Sequence, residues 1–368
     1  GGAGYIGSHV VRQLGEAGES IVVLDDLSTG FRQAVLYGDL VVGNTGDEAC
    51  LERIFSQYDI DTVMHFAAHT IVPESVAVPL KYYGNNTAAS RTLLEWCLKA
   101  GVQHVVFSST AAVYGIPEDG IASEDTPTDP INPYGQSKLM TEQMLKDVAA
   151  VNPLEYVALR YFNVAGSDPE CRIGQSTKTA TLLTKVACEV AVGKRDELFI
   201  YGTDYDTKDG TGVRDYIHVE DLASAHLAAL DYLRRGGKST TLNAGYGHGY
   251  SVREVVSMVE KVAGKEIPKC DIARRQGDPP MLVAAVDTIH RTLEWEPRYD
   301  DLEQICASAL AWERELAAGR WQEPAPTAQA SGEAPTNSTA DAPAGTATDA
   351  ATGAAVEAPG QAAAKTGT

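Results

Sequence analysis

The first half of the chain alternates short apolar segments with stretches of helical spacing. The apolar segments IVVL, LVV, TVMHFAA, HVVFSS and YVALRY occupy 21–24, 40–42, 62–68, 104–109 and 156–161. Helical spacing is clearest at 8–18, 87–100 and 134–150. Continuous apolar strands separated by helices indicate a parallel sheet that is covered on both faces. We therefore predict an α/β fold with a Rossmann-like doubly wound sheet.

A glycine run opens the chain in the sequence GGAGYIGSHV, where Gly1, Gly4 and Gly7 have the spacing G-x-x-G-x-x-G. Such a run joins a strand to a helix whose N-terminal amides and dipole favour a phosphate. The spacing alone also fits a glycine-rich turn. The strand IVVL follows, however, and leads to Asp25, where a carboxylate can bind both hydroxyls of an adenosine ribose and repel a 2′-phosphate. The stretch therefore predicts a site for NAD rather than NADP.

The second half of the chain has a looser pattern. Short strands are expected near 198–200 and 241–242, and helices at 221–233 and 252–263. We predict an NAD-binding domain at 1–165 and an interleaved, smaller mixed α/β substrate domain at 166–320. Residues 323–368 are almost entirely Ala, Thr, Pro, Gly and Ser, without an aromatic residue, which predicts a disordered tail.

Charge and cysteine usage narrow the class of partner. The formal net charge is -20, which argues against nucleic acid and anionic membranes as partners, because both favour Lys and Arg. None of the six cysteines forms a C-x-x-C pair, so free thiols in a reducing compartment are expected, without a metal site. No apolar run is long enough to span a membrane and no signal peptide is evident. The expected location is the cytoplasm.

A tyrosine and a lysine four residues apart are the candidate chemical groups. Tyr134 and Lys138 share one face of a predicted helix, where the ammonium would lower the pKa of the phenol. Most chance Y-x-x-x-K pairs are surface residues. Here Ser108 and Thr110 lie at the end of an apolar strand, where sites in parallel sheets gather. A hydroxyl, a tyrosine and a lysine beside NAD form a proton-transfer set for a hydride-transfer enzyme.

Several longer motifs carry a family resemblance. They are GGAGYIGSH, HFAA, PLKYYGNN, VVFSSTAAVYG, NPYGQSKLMTEQ, LRYFNVAG and DGTGVRDYIHVEDLA. With these motifs the chain resembles the UDP-glucose 4-epimerases of the extended short-chain dehydrogenase/reductase family, from Gly1 to about Trp312. The last motif narrows the resemblance from the superfamily to the 4-epimerase branch.

The resemblance implies roles for individual residues. Tyr134 would be the acid/base, Lys138 its partner, and Thr110 a hydrogen-bond partner of the sugar 4-oxygen. The residues implied at NAD, with the glycine run, are Gly1, Gly4, Tyr5, Ile6, Gly7, Asp25, Asp26, Asn44, Phe66, Ala67, Ala68, Asn85, Ser108, Tyr134, Lys138 and Phe162. Those implied at the UDP-sugar are Thr110, Tyr134, Asn163, Leu183, Tyr201, Arg214, Arg275, Asp278 and Leu282.

The residues themselves support part of this assignment. Arg214 and Arg275 offer the forked donors that suit a diphosphate, although surface salt bridges are the plainer explanation outside the motif. Tyr201 could lie against uracil. The implied reaction is reversible epimerisation at C4 of a UDP-hexose through a 4-keto sugar, with NAD regenerated in each cycle and held between cycles.

The sequence also departs from its relatives. Related 4,6-dehydratases place an Asp-Glu pair after the threonine, where this chain has Ala111 and Ala112, which favours epimerisation over elimination. Asn44 replaces a usual Asp, Thr70 a frequent lysine and Leu182 a usual Asn or His; Leu282 is intermediate between the bulky and small residues of other members. We expect UDP-glucose and UDP-galactose as the main pair. Another UDP-sugar (a UDP-pentose, UDP-glucuronate or a UDP-N-acetylhexosamine) is the alternative substrate.

Two further alternatives concern activity itself. A non-catalytic NAD or nucleotide-sugar binding protein would usually have lost Tyr134 or Lys138, and both are present. Members of the family also have an apolar strand of about half a dozen residues before the first glycine, and the sequence has no residue there. We expect the chain as written to be less stable and to hold NAD poorly, or to be an inactive truncated product. Equal melting temperature and NAD content in a chain extended upstream would refute this expectation.

The resemblance implies a homodimer. Members of the family pair through two helices per subunit in a four-helix bundle, and 87–100 and 136–150 would be those helices. An apolar helix face is more often part of the core of its own chain, so the sequence alone does not establish the dimer.

Overall fold

Strands and helices alternate along the first half of the chain. The computed structural model describes residues 1–275 and 277–321. The strands are β1 (Val22–Asp25), β2 (Asp39–Val42), β3 (Thr62–His65), β4 (His104–Ser108), β5 (Ile121–Ala122), β6 (Glu155–Tyr161), β7 (Asn163–Ala165), β8 (Leu198–Tyr201), β9 (Val213–Arg214), β10 (Tyr216–His218), β11 (Thr240–Ala244), β12 (Tyr250–Ser251), β13 (Lys269–Ile272) and β14 (Met281–Ala284). The α-helices are α1 (Tyr5–Glu16), α2 (Glu48–Gln57), α3 (Val72–Ala77), α4 (Pro79–Tyr82), α5 (Ala89–Ala100), α6 (Pro133–Val151), α7 (Leu183–Ala191), α8 (Val219–Arg234), α9 (Val252–Ala263), α10 (Asp287–Leu293) and α11 (Leu302–Ala317).

The central sheet is parallel and is covered on both faces. Its strands lie in the order β11–β6–β4–β3, and β1 and β2 form a second parallel pair. Successive side chains of a strand point to opposite faces. Val106 and Val157 accordingly pack with α8 in one core, whereas Phe107 and Ala158 pack with α5 in another. The predicted Rossmann-like α/β class is confirmed.

Several element boundaries differ from the prediction, and α1 begins at Tyr5 and ends at Glu16 rather than spanning 8–18. The strand expected over 62–68 ends at His65, and 66–68 form a loop at the carboxyl edge of the sheet. The helix expected from 87 is preceded by a π-helical segment, Tyr83–Ala88. Helices α7 and α11 were not predicted, because their apolar faces occur in a half of the chain without a clear periodic pattern.

Strands from both predicted domains pair with one another. β11 joins the sheet beside β6, and β10 pairs with β7. Residues 1–321 belong to one compact unit. The division at residue 165 therefore stays a prediction, and the tail predicted for 323–368 lies outside the described residues. Among those described, none of the helices combines the length and apolar composition needed to cross a bilayer.

Buried histidines predict a loss of stability in mild acid. Burial lowers the pKa of His65 to about 3 and of His218 and His226 to about 4, from an ordinary value of 6.5. Because the folded state binds fewer protons than the unfolded state below pH 6.5, stability is full above that pH and is lost as the pH falls toward 4, by at most about 1.4 kcal/mol per pH unit for each group. Burial raises the pKa of Asp215 to about 6 and also raises the pKa of Asp221, and these two carboxyls oppose the effect.

The melting temperature is therefore expected to fall between pH 6.5 and 4.5, as measured by scanning calorimetry. His226→Gln removes one titrating group and should flatten the dependence. A melting temperature that is constant over this interval contradicts the prediction.

Candidate active site

The glycine run forms a backbone cradle at the start of α1. A Cβ at Gly7 would lie 2.3 Å from the carbonyl oxygen of Gly1, and a Cβ at Gly1 would lie 2.4 Å from the nitrogen of Ala67. Gly4 is the N-cap of α1, and among the described residues no side chain caps that end. The first amides of the helix, including those of Tyr5 and Ile6, lack intrahelical acceptors, so they can donate to an anion.

Asp25 connects this cradle to the end of β1. Its carboxylate accepts hydrogen bonds from the amides of Ala3 at 2.9 Å and Leu27 at 2.8 Å. A carboxylate has about four lone-pair sites, so Asp25 can shape the loop and still accept from a ribose hydroxyl. Asp26 is exposed next to it and accepts from the side-chain Nδ2 of Asn44 at 3.1 Å.

The remaining residues implied at NAD flank the cradle. Phe66, Ala67 and Ala68 are half-buried and follow β3, with the Phe66 ring 5.0 Å from that of His226. Asn85 lies in the π-helical segment and lines a surface depression together with Asn44. The Tyr5 hydroxyl donates to the carbonyl of Gly166 at 2.7 Å, and the Ile6 side chain packs against the main core. The backbone amides of these two residues are therefore the groups that remain to bind a ligand. The closely packed glycines, the uncapped start of α1 and the carboxylates at the end of β1 are together suited to binding a dinucleotide.

Helix α6 brings Tyr134 and Lys138 to the end of β4. Asn132 caps the helix by accepting from the Gly135 amide at 2.9 Å, and Pro133 is its first residue, as expected of a helix start. Tyr134 is 7% exposed and Lys138 is 3% exposed. The Lys138 ammonium donates to the carbonyl of Ser108 at 2.7 Å. The tyrosine, the lysine and the strand-end hydroxyls are therefore brought together.

Burial sets the protonation of this group. It raises the pKa of Tyr134, an effect that the Thr110 side chain opposes, and it lowers the pKa of Lys138 to about 7, which Glu142 opposes. The lowered tyrosine pKa expected from the spacing is not what the structure has. The phenol is buried, and the ammonium donates to Ser108. Lys138 can nevertheless change its protonation near neutrality on the same face of α6 as the buried phenol.

A second cluster collects the residues implied at the diphosphate. Pairing of β13 with β8 places Tyr201 beside Ile272, and the Arg275 guanidinium lies over the Tyr201 ring, 4.0 Å from its centroid. Asp278 forms an ion pair with Arg275 at 3.4 Å. Burial lowers the pKa of Arg214, and Asp278 opposes that shift. Two guanidinium groups and an aromatic ring fit a nucleoside diphosphate.

Apolar contacts connect the second cluster to the end of β4. Leu282 of β14 is the register partner of Arg214 in β9. It packs in one small core with Phe162 and Ala111. The Asn163 amide donates to the carbonyl of Asp215 at 3.0 Å. Leu183 begins α7 and packs on the main core.

The sequence alone did not identify the charged groups that lie behind Tyr134 and Lys138. Glu142 and Arg160 form a buried ion pair at 2.6 Å next to Lys138. The spacing of Glu142, one helical turn after Lys138, was the only signal in the sequence. Arg274, which lies 4.3 Å over the Tyr205 ring, is a further cation near Arg275 that had no signal of its own.

Comparisons with known proteins agree with this geometry. The family model described as "NAD dependent epimerase/dehydratase family" matches residues 1–245. A UDP-glucose 4-epimerase of Azospirillum brasilense is 56% identical over 332 residues, which are 90% of this chain and 95% of that protein.

Solved structures are similar over the same region. UDP-glucose 4-epimerase from Brucella ovis in complex with NAD is 43% identical with a TM-score of 0.82, covering 84% of this chain and 96% of that one. The enzyme from Bifidobacterium longum in complex with NAD+ and UDP is 39% identical with a TM-score of 0.81, covering 85% and 96%. The chain belongs to the NAD dependent epimerase/dehydratase family and, within it, to the UDP-glucose 4-epimerases.

Proposed function

We propose that the chain catalyses the reversible epimerisation at C4 of a UDP-hexose, interconverting UDP-glucose and UDP-galactose with bound NAD. The observation that carries this proposal is the buried Tyr134–Lys138 pair at the end of β4. The arginine–tyrosine cluster at Tyr201 and Arg275 supports a nucleoside diphosphate as the grip on the substrate. The family and the relatives named above support the same reaction.

The glycine cradle and Asp25 would hold NAD, with the pyrophosphate at the start of α1 and the adenosine ribose at the carboxylate. NAD supplies the acceptor and donor of hydride at C4 of the sugar when bound. As a phenolate, Tyr134 would accept the proton of the 4-hydroxyl as that carbon becomes a ketone, and as a phenol it would return the proton when the ketone is reduced. Thr110 donates to the 4-oxygen, and Lys138 holds the charge beside the phenol.

Epimerisation requires that the 4-keto sugar rotate within the site, so that its opposite face is presented, without dissociating from the protein. Arg214 and Arg275 would hold the diphosphate while the sugar rotates, so that binding energy at the nucleotide keeps the intermediate in place. Leu282 lies beside Arg214 and limits the space for the sugar. Ala111 and Ala112 follow Thr110, so no acid or base stands where elimination of water would need one.

Incubation with UDP-galactose and NAD is the direct test. Conversion to UDP-glucose with no net NADH is expected, because the hydride returns to the same carbon. Formation of a 4-keto-6-deoxy sugar, or no conversion by a protein that binds UDP-galactose, contradicts the proposal.

Substrate preference is the second prediction of this site. Leu282 is larger than the small residues that admit N-acetyl sugars in relatives, so kcat/KM for UDP-N-acetylglucosamine is expected to be well below that for UDP-glucose. Leu282→Ala should raise it. Equal rates for both substrates in the unchanged chain sink the hypothesis. The same assay panel, with UDP-pentoses and UDP-glucuronate, separates the other substrates.

Arg214 is expected to act in binding. Arg214→Lys keeps the charge but loses the fork of donors, which should raise KM for the UDP-sugar about tenfold, the effect of losing one charge-assisted hydrogen bond of about 1.5 kcal/mol. NAD content should not change. Arg253→Lys is the matched control, because Arg253 pairs with Asp271 on the surface. A KM equal to that of the control removes Arg214 from the diphosphate site.

A homodimer in the cytoplasm completes the proposal. Helices α5 and α6, with Met140 exposed on α6, would supply the interface that the family resemblance implies. All six cysteines lie in the described residues as free thiols, which supports a reducing compartment. Analytical ultracentrifugation tests the dimer.

A further inference from the structure

Behind Lys138 a chain of buried polar side chains runs from α6 along one face of the sheet to β11. The Glu142 carboxylate accepts from Arg160 Nε at 3.0 Å and from its Nη2 at 2.6 Å. Arg160 Nη1 donates to the Tyr114 hydroxyl at 3.0 Å, and that hydroxyl donates to Asn243 at 2.7 Å. All four side chains are at least nine-tenths buried.

The network is connected to the candidate catalytic residues in two ways, through helix α6 and through the end of strand β4. Glu142 lies one helical turn after Lys138, on the same face of α6. It also accepts a hydrogen bond from the Ser109 hydroxyl. Ser109 stands between Ser108, whose carbonyl accepts from Lys138, and Thr110. One carboxylate is therefore connected to the helix that carries the lysine and to the strand end that carries the hydroxyl.

Burying an ion pair costs desolvation free energy, so the presence of the Glu142–Arg160 pair needs an explanation. Replacing such a pair by apolar residues is often neutral or stabilising, which makes the pair weak evidence for a role in stability. Removing one partner alone leaves a buried charge and is strongly destabilising. A network that holds neighbouring groups in one arrangement is the best-attested alternative role.

We propose that Glu142 is a positioning residue: its carboxylate, paired with Arg160 and bonded by Ser109, holds the Lys138 ammonium and the end of β4 in the arrangement that proton transfer at Tyr134 needs. This inference rests on the proposed epimerisation and deepens its account. Glu142 acts through Lys138 and Thr110 and does not itself contact substrate.

Several ionisable groups face this network. Glu142 of α6 and His65 of β3 face Lys138, and Tyr161 at the end of β6 faces Tyr134. Arg160 and Tyr156 of β6 face Glu142. Glu142 is the carboxylate that raises the pKa of Lys138 against the effect of burial. Without it the lysine loses its proton at a lower pH, and the phenolate of Tyr134 loses its neighbouring positive charge.

The test is the pH profile of Glu142→Gln. This variant keeps the shape of the side chain and removes its charge. We expect kcat to fall about tenfold while KM for UDP-galactose is little changed, which is the signature of a loss felt in the chemical step. The alkaline limb of the kcat profile should move to lower pH by about one unit, the shift given by loss of one opposite charge. Glu142→Asp, which keeps the charge, should restore the limb.

A matched control separates positioning from stability. Glu313 is 1% exposed and pairs with Lys185, away from the site, so Glu313→Gln removes an equally buried charge. It should lower the melting temperature and leave the pH profile in place. If Glu142→Gln has the pH profile of the unchanged chain, or loses only as much activity as it loses folded protein, the inference is overturned.

Two outcomes need separate variants. If Glu142→Gln does not fold, Ser109→Ala decides: it should lower kcat several-fold without moving the alkaline limb, and an unchanged kcat contradicts the inference. Tyr134→Phe distinguishes this inference from the proposed function. An active Tyr134→Phe protein defeats the proposed mechanism, whereas an inactive one beside a normal Glu142→Gln protein defeats only the role of Glu142.

Discussion

Replacing Tyr134 with phenylalanine is expected to lower kcat by about a hundredfold to ten-thousandfold, the contribution of a positioned general acid/base. The variant loses one hydroxyl at a 7% exposed position and keeps the ring, so the fold and the UDP-sugar site should persist. KM should change little, because the hydroxyl acts on the reacting proton rather than on the nucleotide. Initial rates with UDP-galactose, together with UDP binding by calorimetry, provide the measurement.

Tyr156→Phe is the matched control for this experiment. Tyr156 has the same 7% exposure but packs in the core on the opposite side of the sheet from the main core. Its hydroxyl should be dispensable for turnover. If the two variants have the same kcat, Tyr134 is not the acid/base and the proton passes through another group.

Introducing alanine at Gly7 is expected to abolish retention of NAD and to lower the melting temperature by several degrees. The added Cβ would lie 2.3 Å from the Gly1 carbonyl oxygen and 2.8 Å from Gly2 Cα, so the backbone must move. Overpacking of this kind costs about 1–3 kcal/mol. The movement also displaces the amides at the start of α1 from the positions that suit a pyrophosphate. Absorbance of released NAD after denaturation, with a thermal scan, measures both effects.

Gly84→Ala provides the comparison, because a Cβ at Gly84 meets no atom within 4 Å in the described residues. It lies in the helical segment before α5, where alanine is favoured over glycine. NAD content and melting temperature at or above those of the unchanged chain are expected for this control. A Gly7→Ala protein that behaves in the same way shows that the cradle tolerates a side chain and is not closely fitted to a ligand.

Local sequence signals were sufficient for the sheet and for the catalytic pair. The apolar runs that became β4 and β6 are buried on both faces, so their continuous hydrophobicity identified them. The helical spacing at 134–150 predicted the helix that became α6 and placed Tyr134 at its start. Spacing of four then placed Lys138 beside it. Each of these inferences depends on residues that are neighbours in sequence.

Long-range contacts account for what the sequence could not give. Burial lowers the pKa of Lys138, and its ammonium donates to a carbonyl 30 residues away; neither fact is visible in a Y-x-x-x-K spacing. The Glu142–Arg160 pair joins a helix to a strand 18 residues later. Asp25 stands at the end of β1 and also accepts a hydrogen bond from the backbone amide of Ala3 within the glycine run. Tertiary packing decides all three, and single-sequence patterns do not encode it.

Arg214 and Leu282 are register partners in neighbouring strands, but their proposed roles differ. Arg214 would bind the diphosphate, and Leu282 would limit the space for the sugar. Backbone hydrogen bonds between β9 and β14 fix where both residues stand, and these bonds are indifferent to side-chain identity. The backbone therefore keeps Arg214 in place, while the side chain of Leu282 packs with Phe162 and Ala111. With the roles proposed for Leu282 and Arg214, a single substitution at the leucine would change the sugar preference while the nucleotide is still held.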